Sequence, residues 1–168
     1  MELEIDIEDW AGENWPQGEW HALAERVANA AQQVAPELAN PRLVASLLFT
    51  SDDRIHELNR EWRQRDKPTN VLSFPMLERT DLVHLDPDDG PPEMLGDIAL
   101  AHETCAREAE AKGAALQDHA AHLILHGFLH LAGHDHEVSE ADADKMEALE
   151  IKALALLGID NPYSDTNS

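Results

Sequence analysis

The chain has 168 residues, enough for one domain with a substantial core, and its 43% hydrophobic content is incompatible with wholesale disorder. Thirty-four acidic residues against twelve basic ones give a formal net charge of -22, which excludes a broadly basic nucleic-acid-binding surface. A single cysteine, Cys105, excludes an internal disulfide framework; with no basic, apolar leader and no apolar run long enough to cross a bilayer, a soluble cytoplasmic protein without membrane contact is expected.

Residues 2 to 8 alternate apolar Leu3, Ile5 and Ile7 with acids, the period-two pattern of a half-exposed strand. Trp20, Leu23, Val27 and Val34 then lie on one helical stripe that Pro36 ends. Leu43 to Phe49 reads as a second strand, and Thr50 with Asp53 as a capping box for a helix whose apolar face is Ile55, Leu58 and Trp62. Val71 to Phe74 is a short strand. Residues 76 to 93, with six acids and Gly90, read as an exposed loop without structure of its own.

Leu95 to Leu100 is a further strand, followed by a helix that Gly113 interrupts before another starts near Leu116. From Leu123 to Ala132 that helix is apolar on nearly every side, which places it at the centre of the fold. Ser139 with Asp142 caps a last helix with the stripe Met146, Leu149, Ala153 and Leu156, stopped by Gly158. The sum is one α+β domain over residues 1–168, with a four-stranded mixed sheet, about five helices, a central buried histidine helix, and a loose tail over 159–168.

The sixteen residues from His119 to His134 carry five histidines and no Asp, Glu, Lys or Arg, and a sixth histidine follows at His136. His126 and His130, four apart, stand one turn apart on one helix face, where two imidazoles reach one ion. On a continuous helix His126 and His134 would be roughly 12 Å apart along the axis, too far for one ion with bonds of about 2 Å. Gly133 allows the helix to end and the chain to turn back, so the expected ligands are His126, His130 and His136.

A lone histidine here would be read as a core or surface residue; two at helical spacing and a third beyond a helix-ending glycine point to a metal site. Three neutral imidazoles suit one divalent ion, zinc first, with nickel, copper, cobalt or iron also accepted, and leave a fourth position for water. Such a site serves hydrolysis. Metzincin peptidases share the spacing but place a glutamate after the first histidine as general base, where this chain has Gly127.

The run His126-Gly127-Phe128-Leu129-His130-Leu131-Ala132-Gly133-His134-Asp135-His136 resembles the H-G-x-L-H-L-x-G-Y-D-H motif of the YbeY family, metal-dependent endoribonucleases of bacterial ribosomal RNA maturation. Leu58-Asn59, Trp62-Arg63, the block Asp66-Lys67-Pro68-Thr69-Asn70-Val71-Leu72-Ser73-Phe74-Pro75, and Leu95-Gly96-Asp97-Ile98 extend the resemblance over most of the chain. The family has tyrosine where this chain has His134. The resemblance implies a single-strand-specific endoribonuclease of small-subunit ribosomal RNA maturation, in which metal-bound water attacks a phosphodiester. The alternative is a non-catalytic ribosome assembly factor with a structural metal.

The resemblance also gives Arg63 the role of phosphate contact, for which a planar guanidinium fork is suited. Asp135, between His134 and His136, is placed either to orient an imidazole or to cap the turn, and His134 either to line the pocket or to face solvent. His119 and His122 read as core histidines. Arg54, Arg60, Arg63, Arg65 and Lys67 concentrate five of the twelve basic residues in fourteen positions, so RNA contact is expected to be confined to a cleft. The acidic remainder suits docking on the small subunit through a basic ribosomal protein.

Overall fold

A computed structural model of the chain describes residues 1–8, 10, 17–66, 69–134 and 139–162. Strand β1 (Glu2–Ile7) leads to helix α1 (Gln17–Val34), a 3-10 turn (Pro36–Ala39), strand β2 (Leu43–Thr50), helix α2 (Asp52–Arg63) and strand β3 (Val71–Pro75). Then follow the short helix α3 (Arg79–Val83), strand β4 (Glu93–Ala101), and helices α4 (His102–Lys112), α5 (Leu116–Leu131) and α6 (Glu140–Leu156). The strands form one sheet in the order β1-β2-β4-β3, with β1, β2 and β4 parallel and β3 antiparallel to β4. This is the expected mixed four-stranded α+β sheet, with six α-helices among the described residues rather than about five.

Strand alternation divides the apolar residues between two faces. Leu43, Leu47 and Phe49 of β2, with Leu95, Ile98 and Leu100 of β4, join the main core with α1, α5 and α6. Leu72 of β3 and Ala99 and Ala101 of β4 form a smaller cluster with Ile55 of α2 on the other face. Helix α5 runs through the main core: Ile124, Leu125, Phe128, Leu129 and Leu131 are all fully buried. No helix among the described residues is long and apolar enough to cross a membrane.

Several expectations are corrected. The cap of α2 is Ser51, whose side chain accepts from Arg54 N, rather than Thr50 with Asp53; Thr50 is the last residue of β2 and fully buried. Trp62 does not join the apolar face of α2, being 71% exposed at its last turn, and Leu156 of α6 is likewise exposed. The segment 76–93 is not structureless. It forms α3, anchored by buried Leu82, and Asn40 Nδ2 donates to Leu85 O while Arg42 donates to Asp86 O and Pro91 O, holding the acidic stretch against the body. The expected cap of α6 is present, Ser139 accepting from Asp142 N.

Candidate active site

Helix α5 lies close on the sheet because Gly127 has no side chain: a Cβ there would meet Ile98 at 3.0–3.1 Å. The glycine that stands where peptidases carry a catalytic glutamate thus has a packing cause. The helix ends in a Schellman motif, Gly133 N donating to His130 O and His134 N to Leu129 O, each at 3.0 Å. Gly133 takes φ 94°, a left-handed conformation that favours glycine, and the helix ends there as expected.

His126 and His130 are both half-buried on one face of α5, and each is held at Nδ1. His126 Nδ1 lies 3.0 Å from Glu150 Oε2 on α6, and His130 Nδ1 lies 2.9 Å from Ser73 Oγ on β3. Against an ionised carboxylate Nδ1 carries the hydrogen, which fixes the tautomer of His126 with its lone pair on Nε2, the arrangement found behind metal-binding imidazoles. Glu150 is 2% exposed and its other oxygen lies 2.6 Å from His122 Nε2, so one buried carboxylate orders two histidines of the helix. His119 is buried with Nε2 2.8 Å from Glu108 Oε1. The two earlier histidines are therefore core residues with carboxylate partners.

The turn at Gly133 forms a cleft of about 560 Å³ walled by Pro75 to Arg79 on one side and by His130, Leu131, Gly133 and His134 on the other. His134 is among the residues that line it. Burial first, then the charge of Arg79, holds the His134 imidazole below its ordinary pKa, so it faces the cleft in its neutral form near neutral pH.

The donor set fits a divalent ion as far as it is described: two imidazoles one turn apart, each held at Nδ1. Among the described residues no group of three His, Cys, Asp or Glu side chains is gathered for a metal. His136, the expected third ligand, and Asp135 both lie outside the described residues. Arg63 is exposed as the last residue of α2. The arginine that lines the cleft is Arg79.

Sequence reasoning missed three of these residues. Glu150 had a legible signal, since it stands four residues after Met146 and three before Ala153, an acid on the buried stripe of α6. Ser73 carried none beyond its place in the Val71–Pro75 strand. Arg79 was hidden in a stretch read as loop.

This fold is shared with a solution structure from Thermotoga maritima, with a TM-score of 0.56 at 24% identity over 98% of this chain and 99% of that one. A sequence profile described as Endoribonuclease YbeY matches residues 4–158. A relative named Endoribonuclease YbeY from Erythrobacter litoralis is 64% identical over 165 residues, 98% of this chain and 99% of its own length. Another of that name from Novosphingobium aromaticivorans is 53% identical over 162 residues, 96% of this chain and 95% of its own. The chain belongs to the YbeY endoribonuclease family.

Proposed function

We propose that this chain cleaves single-stranded RNA in the maturation of small-subunit ribosomal RNA, as a metal-dependent endoribonuclease of the cytoplasm. The observation that carries the reading is the pair of imidazoles one helical turn apart and each held at Nδ1, His126 by Glu150 and His130 by Ser73, with His130 lining the cleft. His126, His130 and His136 would hold one divalent ion, zinc by first choice, with nickel or another transition metal as substitutes. The ion supplies Lewis acidity, which polarises a phosphoryl oxygen and makes water more acidic.

The chain's own residues do the remainder. Glu150 keeps the His126 lone pair directed outward, and Ser73 Oγ, 2.9 Å from His130 Nδ1, holds the His130 ring in place. Gly133 turns the chain so that the third histidine follows the helix end. Arg63 meets a phosphate of the bound strand, and Asp135 orients an imidazole.

The relatives' printed name speaks for catalysis over the non-catalytic assembly factor. A net charge of -22 confines RNA to the cleft and suits docking on a basic protein of the small ribosomal subunit. Metal analysis with cleavage of a short single-stranded RNA tests the reading: wild-type protein cleaves, chelation abolishes cleavage, added metal restores it, and His130→Ala neither binds metal nor cleaves. Cleavage that survives chelation overturns it. Arg63→Ala lowers cleavage with metal content intact, and Arg63→Lys recovers part of it. Association with small-subunit particles weakens as salt rises and as Asp86, Asp88 and Asp89 are neutralised, with cleavage of the short RNA unchanged.

A further inference from the structure

The cleft beside His130 sits in an unfavourable place for a polyanion. The C-terminal end of α5, the partially negative end of the helix, lies beside it, and Glu78 stands in its wall. Among the described residues lining it, Arg79 is the one permanent cation.

Arg79 is also held in a particular way. Its Nη1 donates to Ala132 O at 2.6 Å and pairs with Glu37 Oε2 at 2.8 Å, Glu37 itself being 14% exposed. Its stem lies on Gly133, where a Cβ would come within 2.7 Å of Arg79 Cβ. One end of the guanidinium is thus anchored to the turn that follows His130. The side chain is 40% exposed, and among the described residues no acceptor engages Nε or Nη2. A guanidinium has five N–H donors in a rigid fork, and bidentate capture of a phosphate needs two of them. An arginine whose position is set through one nitrogen, with donors left over and open to solvent in the cleft, has lost little freedom still to be lost on binding.

We propose that Arg79 is a phosphate-binding residue of the active cleft, holding a phosphodiester of the single-stranded RNA beside His130 and His134. The inference rests on the endoribonuclease reading for the identity of the ligand. It assigns the cleft a cation that the histidine motif and the Asp66–Pro75 block do not contain. Glu37 then has a second part: it neutralises Arg79 until a phosphate competes for the guanidinium.

The test is binding of a short single-stranded RNA, measured across a salt series in chelator so that no cleavage occurs, with metal content and melting temperature measured alongside. Arg79→Gln retains a donor for Ala132 O and removes the charge. It is expected to weaken binding about tenfold at low salt and to reduce the slope of log affinity against log salt by about 0.7, the share of one phosphate on a single strand, with melting and metal content unchanged. Arg79→Lys recovers part of the affinity, and Glu37→Gln binds as tightly as wild type or more tightly. The proposal is overturned if Arg79→Gln binds with wild-type affinity and slope. It is equally overturned if Glu37→Gln weakens binding as much as Arg79→Gln, or if Arg79→Gln lowers melting or metal content, since Arg79 is then a strut. Wild-type protein that binds RNA yet fails to cleave it with metal present would count against the endoribonuclease reading and leave the binding comparison intact.

Discussion

Glu150 Oε2 lies 3.0 Å from His126 Nδ1, so an acid on the last helix sets the tautomer of a histidine on the central one. The carboxyl group is buried at 2% exposure, one oxygen 2.6 Å from His122 Nε2 and the other 3.0 Å from His126 Nδ1. Loss of such a partner lowers metal affinity about 10–100-fold in comparable sites. Glu150→Gln is therefore expected to reduce affinity by that order in a competition titration against a chelator, with α5 intact by circular dichroism. Wild-type affinity in Glu150→Gln would reduce the contact to a packing role.

Gly127 gives a second prediction, about packing. Alanine is favoured over glycine within a helix by about 1 kcal/mol, yet the added methyl would stand 3.0–3.1 Å from three atoms of buried Ile98. Overpacking of that kind costs about 1–3 kcal/mol and outweighs the propensity gain. Gly127→Ala should lower the melting temperature, and Ile98→Val in the same chain should restore part of it. A melting temperature raised by Gly127→Ala would show that α5 can lift from the sheet without penalty.

The His119–Glu108 pair predicts an acid-sensitive fold. Burial holds His119 below its ordinary value of 6.5. Burial would raise Glu108, but hydrogen bonds from His119 and Asn70 outweigh it and hold the carboxyl below 4.5. Both groups are lowered in the folded state, so the unfolded chain takes up more protons and stability is lost as pH falls, starting near 6.5 for His119. Denaturant midpoints should drop between about pH 7.5 and pH 5, and His119→Gln should flatten that drop. An equally steep fall in His119→Gln would place the acid sensitivity in other groups.

Cys105 should be inert while the chain is folded. Burial, followed by the nearby charges of Glu108 and Asp52, pushes its thiol up to about 12, so little thiolate exists near neutral pH. A thiol probe at mildly alkaline pH should label it only in denaturant. Rapid labelling of native protein would contradict its burial on the inner face of α4.

The parts of the fold that could be read from sequence are those where one residue type has one local meaning. Gly113 and Gly133 close their helices in left-handed conformations, and Ser139 caps α6, because backbone groups at helix ends need these residues irrespective of distant neighbours. His126 and His130 were legible by spacing alone. Trp62 was not, because it reverses the expectation of its type and tertiary contacts leave it exposed, whereas the buried Glu150 was marked only by its place on the apolar stripe of α6. The stretch after α3 is held by Asn40 and Arg42, about forty to fifty residues away from the backbone groups they reach, and Arg79 by Glu37 and Ala132 O, which no local pattern reveals. Asp135 and His136 lie outside the described residues, so their assignment stands on spacing and family resemblance.

Strand β3 has five residues and pairs with β4 alone, leaving it at an edge of the sheet, yet Ser73 on it holds His130. Edge strands open with less free energy than the centre of a sheet. Amide hydrogens of β3 are therefore expected to exchange before those of β2 and β4, and each opening lets the His130 ring turn while α5 stays folded. A ligand that requires the ring in place stabilises the closed strand by mass action. Occupancy at the histidines would then register as slowed exchange in β3, a segment that donates no atom to the ion, and the tightness of the centre would be set by the fraying of a strand beside it.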